Sequence, residues 1–152
     1  MTEPEASNGV AKPPAPRVGM HFDRADRVYA PGQELAVRYE IDGLAGVVVA
    51  AVERSVVWYT EGKGEEDLGV HHFDRVDAVA ALAAAVPNGE IVVRLPASPL
   101  SYEGVIVKIR WCVRIRAFFQ GARDFVSEHV FQVGSVPPAR PHRPPPRTEP
   151  TP

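Results

Sequence analysis

The chain has a single cysteine in 152 residues, Cys112. A lone thiol excludes an internal disulfide framework and any zinc site built from several cysteines. No apolar run approaches the roughly 18–20 residues that span a bilayer as a helix. Neither sign of charge is in excess: 17 Lys+Arg against 19 Asp+Glu leave a formal net charge of −2. That balance argues against a general nucleic-acid binder. Proline is scarce in the middle of the chain. Four of the 16 prolines lie within 18–133, whereas Pro4, Pro13, Pro14 and Pro16 precede that stretch and eight follow Val133. The first residues also lack the apolar stretch of a secretory signal, so a cytoplasmic protein is expected.

Dense proline opposes helix and sheet alike, and these ends have almost no large apolar side chains to offset the entropy of ordering. Residues 1–17 and 134–152 therefore read as disordered Pro-rich tails around one domain, 18–133. The charges divide the same way. The N-terminal tail is neutral, the C-terminal tail is +2 through Arg140, Arg143 and Arg147 against Glu149, and the domain is left with −4. Such a tail suits a proline-recognising groove, or is simply a solvated terminus.

Within the domain, period-two alternation predicts strands. Val18 to Phe22 reads as an edge strand. Tyr29-Ala30-Pro31-Gly32 is a turn, since Pro sets φ and Gly tolerates a positive φ after it. Leu35, Val37, Tyr39 and Ile41 alternate with polar neighbours. Val47 to Thr60 is β-prone in neither clean register, because Arg54 interrupts the apolar parity; a bulge is expected near Glu53–Ser55. In the return strand, Val70, His72 and Asp74 are expected to share one face, with His71, Phe73 and Arg75 on the other. Asp77 and the alanines up to Val86 suggest a short capped helix. The strongest pattern runs from Val105 to Phe119, with eight apolar residues on one parity. A three-residue turn around Gly121 then places Glu128 opposite Arg114 and Phe131 opposite Trp111. At least seven strands with one brief helical insertion describe an all-β, immunoglobulin-like antiparallel β-sandwich.

Three segments resemble the arrestin-like family. Tyr29-Ala-Pro-Gly-Gln-Glu-Leu-Ala-Val is similar to its Tyr-x-Pro-Gly-Glu entry into a strand. Leu95-Pro-Ala-Ser-Pro-Leu-Ser-Tyr102-Glu-Gly104 is similar to its Leu-Pro…Pro-x-Ser-Tyr-x-Gly corner. Ile109-Arg-Trp-Cys-Val113 follows where the family has an aromatic-centred strand. The resemblance spans about residues 18–133 and implies a single arrestin-like sandwich acting as an adaptor or scaffold. Arrestins have two such domains, so their phosphate-sensing and receptor-contacting elements do not transfer.

Lys108, Arg110, Arg114 and Arg116 share one face of the long strand. They form either an anionic docking stripe, for acidic peptide or lipid headgroups, or a solvated face paired with neighbours such as Glu128. Trp58, Glu61 and Lys63 mark a candidate recognition loop. His71, His72 and Asp74 invite a metal reading, but two ligands on one face make no site. Gly62-Lys63-Gly64 lacks the spacing of a phosphate loop, and Glu65-Glu66-Asp67 lacks that of a calcium loop. Cys112 lies between arginines that would lower its pKa, with no base on its strand. These features predict a non-catalytic protein-binding module, without cofactor or metal, that binds a protein partner or a second copy through a sheet edge. The alternatives are a peripheral membrane adaptor and a small metal- or thiol-dependent enzyme.

Overall fold

The computed structural model describes residues 15–78 and 87–137. Among them the chain forms nine strands and no helix. They are β1 (Arg17–Phe22), β2 (Val28–Tyr29), β3 (Glu34–Asp42), β4 (Val49–Gly62), β5 (Leu68–Asp77), β6 (Asn88–Arg94), β7 (Tyr102–Glu103), β8 (Val107–Phe119) and β9 (Phe125–Val133). Of the expected tails (1–17 and 134–152), residues 1–14 and 138–152 lie outside the described residues, as does most of the expected helix (79–86). Asp77 ends β5 rather than capping a helix, and Ala78 N–H donates to Ala50 O at 2.9 Å, prolonging the pairing with β4.

A smaller sheet has the order β1-β3-β6, and a larger one β2-β9-β8-β4-β5, with β7 also paired to β8. All named pairings are antiparallel except the short β2–β9 contact. The inner faces enclose one core. Leu35, Val37, Tyr39, Ile41 and Ile91 face Val52, Val56, Trp111, Val113, Ile115 and Phe131. Phe131 packs with its ring centroid 5.8–6.0 Å from those of Phe22, Tyr29 and Trp111, edge-on to Tyr29 and tilted against the other two, within the range of favourable aromatic pairs.

The Pro31-Gly32 turn forms as read. Gly32 takes φ of 77° and Gln33 N–H donates to Ala30 O at 3.1 Å. The corner after β6 is a structural tie. Leu95 is buried, Trp111 Nε1–H donates to Pro99 O at 3.0 Å, and Ser101 exchanges bonds with Val133 through its N–H and its hydroxyl.

Two expectations are corrected. The long strand starts at Val107, not Val105. Gly104 N–H donates to Val107 O at 3.1 Å and closes a tight β7–β8 turn. Val105 is left fully exposed at its tip, with Ile106 70% exposed. The irregularity expected in β4 near Glu53–Ser55 also lies elsewhere. Val56 pairs with His72 and Val57 with Val70, so His71 is an extra residue in β5. A second slip falls between Val49 and Ala51 against β8. Arg54 does not break the register; it points inward with a partner of its own.

Candidate functional site

The slip at His71 decides which side chains share a face. Beyond it, Val70 joins Phe73 and Arg75 on the outside, while His71 and His72 both face the interior. His71 meets Trp111 edge-on at 6.0 Å, and His72 Nε2 lies 3.6 Å from Asp74 Oδ2. This corrects the strict alternation expected of β5: a bulge places neighbouring residues on one side.

The inward polar residues are mutually satisfied. Asp74 accepts from Arg54 through both oxygens. Burial alone would raise the Asp74 pKa, but the hydrogen bond and charge of Arg54 outweigh it and hold it below the ordinary value. Arg54 Nη1 also donates to Glu90 O at 3.1 Å. His71 Nε2 lies 2.8 Å from Arg94 O; a carbonyl only accepts, so Nε2 carries the hydrogen. Two residues of the larger sheet thus reach the outer edge of β6 in the smaller one. Among the described residues no group of three or more His, Cys, Asp and Glu is placed to hold a metal.

The outer face of the larger sheet is ordered in rows across β5, β4, β8 and β9. One row is wholly apolar: Val70, Val57, Cys112 and Val130. The next reads Phe73, Ser55, Arg114 and Glu128, and the next Arg75, Glu53, Arg116 and Val126. Small Ser55 leaves a dent between Phe73 and Arg114. A groove of about 380 Å³ follows, lined by Val57, Val70, Phe73, Val126 and Arg114 among others. Phe73 is 56% exposed, Val70 59% and Val126 46%.

The four expected cations all lie on this face, and each has a carboxylate. Lys108 is 3.7 Å from Glu103, Arg110 bonds Glu61 and Glu103, Arg114 bonds Glu128 at 2.7 Å, and Arg116 bonds Asp124 at 2.7 Å. The stripe is a charge-balanced ladder rather than a bare anion site. An anionic headgroup docking there would have to displace bonded carboxylates.

Glu61 belongs to this ladder; its carboxyl is held below the ordinary value by the hydrogen bond and charge of Arg110. Trp58 does not. It lies within β4, opposite Trp111 and packed on the core, so 58–62 is strand and not a recognition loop. Its indole occupies the space above Gly69, where an added Cβ would overlap the ring. Lys63 lies just past β4, tied by its N–H to Ile106 O at 3.2 Å. Cys112 is fully buried under its neighbours. Burial first, then the charge of Glu128, push its thiol up to about 11, against the lowering expected from its arginines.

The exposed apolar residues Leu68, Val70, Phe73, Val126 and Val130 were missed by sequence reading. Val126 and Val130 were legible as apolar residues on the polar parity of their strand. Val70 and Phe73 were not, because nothing in the sequence announces the slip at His71.

No protein-family profile and no curated protein sequence matches the chain. Among solved structures it is similar to Spo0M, a sporulation control protein from Bacillus subtilis, with a TM-score of 0.50 and 14% identity. That match covers 79% of this chain and 49% of Spo0M, so the chain spans about half the length of that protein. A superoxide reductase (neelaredoxin) from Ignicoccus hospitalis aligns with a TM-score of 0.46 and 11% identity, over 78% of this chain and 80% of that one. The fold is an arrestin-like β-sandwich.

Proposed function

We propose that this sandwich is a non-catalytic protein-binding module whose docking face is the outer surface of the larger sheet. The observation that carries this reading is the band of Leu68, Val70, Phe73, Val126 and Val130, exposed on one face between rows of arginine–carboxylate pairs. An apolar centre with an aromatic anchor and an Arg-rich polar rim has the composition of a protein interface. A rigid sheet holds such a patch at low entropic cost on binding. The buried, protonated thiol of Cys112 and the mutually satisfied inward histidines support a binding role over a catalytic one.

The test compares capture of proteins from native lysate by three baits: the wild-type chain, Phe73→Glu, and Arg38→Glu on the exposed face of the smaller sheet. A partner held by wild type and by Arg38→Glu, and lost with Phe73→Glu, is the expected result. Phe73 is surface-exposed, so its substitution should move folding stability by no more than about 0.5 kcal/mol. Retention of every partner by Phe73→Glu would remove this face from the reading.

A further inference from the structure

We propose that β1 is a self-association edge, through which two copies of this chain pair β1 to β1 antiparallel and join their smaller sheets into one. This edge lies on the smaller sheet, apart from the outer docking face of the larger one.

The phase of β1 is set by its neighbour. Asp23 N–H donates to Ala36 O at 3.0 Å, and the register pairs His21 with Arg38, Gly19 with Glu40 and Arg17 with Asp42. The odd-numbered residues therefore turn their N–H and C=O toward β3. Val18, Met20 and Phe22 turn theirs away. Among the described residues these groups have no hydrogen-bond partner.

The other lateral strands are guarded, as natural edges usually are. Leu95 N–H to Gln33 O and Ile41 N–H to Pro87 O set the phase of β6, so Glu90, Val92 and Arg94 face outward there. Arg54 and His71 cap the Glu90 and Arg94 carbonyls. β5 has its bulge at His71 and the inward-pointing Asp74. β9 is closed at its C-terminal end by β2. Among the described residues β1 has no bulge, no inward charge and no side-chain cap. Its inward residues Val18, Met20 and Phe22 are half-buried against the core and would extend it across the junction.

A second copy fits this edge in one register. Pairing all three outward residues with one another requires Met20 opposite Met20 and Val18 opposite Phe22. About six backbone hydrogen bonds then form. A slip toward the N-terminus brings Pro16, which has no N–H, into the ladder. The same register sets Arg17 opposite Asp23 of the second copy, twice by symmetry. Asp23 Oδ1 accepts from Tyr29 OH at 2.6 Å, which leaves Oδ2 for that arginine. Self-complementarity of sequence and charge is what a two-fold interface demands.

The test is sedimentation velocity of the full chain from about 1 µM to 1 mM, the range of weak association. Wild type should dimerise within it. Arg17→Glu sets a carboxylate against Asp23 at both ends and should weaken the dimer at least about tenfold. Met20→Pro removes an outward N–H without touching a bond to β3 and should leave a monomer, with circular dichroism confirming the fold. Should Met20→Pro misfold, Arg17→Glu decides alone. Phe73→Glu should leave the dimer intact. A wild type that stays monomeric throughout overturns the proposal. So does a dimer that ignores Arg17→Glu and folded Met20→Pro, or one lost only with Phe73→Glu, which would place association on the outer face.

Discussion

His129 shows how one side chain ties stability to pH. It lies on the inward face of β9, with Nε2 2.8 Å from Ser127 Oγ. Burial first, and the charge of Arg27 second, hold its pKa below the ordinary 6.5. The unfolded chain therefore takes up this proton at a higher pH than the folded one. Its contribution is fully present above about pH 6.5 and is lost as pH falls toward the folded value. Urea midpoints should decline between about pH 7 and 5 on that account, and His129→Gln should flatten the decline. Asp74 works in a separate, more acidic window. Its folded pKa is held below 3.8, so its contribution is present above about pH 4 and fades below.

Among the elements, β4 is the one that the alternation rule reads least well. Arg54 occupies an inward position between Val52 and Val56, both fully buried. It is tolerated because Asp74 stands opposite it in β5 and the Glu90 carbonyl faces it from β6. The pair is part-buried, with side chains 16% and 35% exposed, so its loss should cost less than that of a fully buried pair. Arg54→Ala is expected to destabilise by about 2 kcal/mol in chemical denaturation, leaving Asp74 and an edge carbonyl without their donor. In a double-mutant cycle with Asp74→Ala the two losses should be far from additive. The β8–β9 hairpin is the opposite case. Gly121 takes φ of 71°, the loop length sets the register, and Arg114 meets Glu128 and Trp111 meets Phe131 as the sequence predicts.

For the whole molecule, the boundaries drawn from proline density lie close to the edges of the sheets, but not on them. β1 begins at Arg17, and beyond β9 the Gly134 N–H donates to Tyr29 O at 2.8 Å while Val136 bridges to Tyr102. A chain cut to 18–133 forfeits these bonds, whereas one cut to 15–137 keeps them. At about 1 kcal/mol per net hydrogen bond, the shorter chain should melt at least about 4 °C lower in a thermal scan.

The sequence alone determined the class of fold, the inward parity of β3, β8 and β9, the Pro-Gly turn, and the cations of β8. Each follows from local chemistry: period-two patterning, turn residues and a short loop. The tertiary structure decided everything that depends on one strand's position against another. The slip at His71 set Val70 beside Phe73 on the outer face, strand pairing gave Lys108, Arg110 and Arg116 their carboxylates, and the approach of the two sheets capped β6 while, among the described residues, leaving β1 open. A one-residue change of register reverses every side chain beyond it, and outside the short β8–β9 hairpin registers are fixed by contacts between residues far apart in the chain.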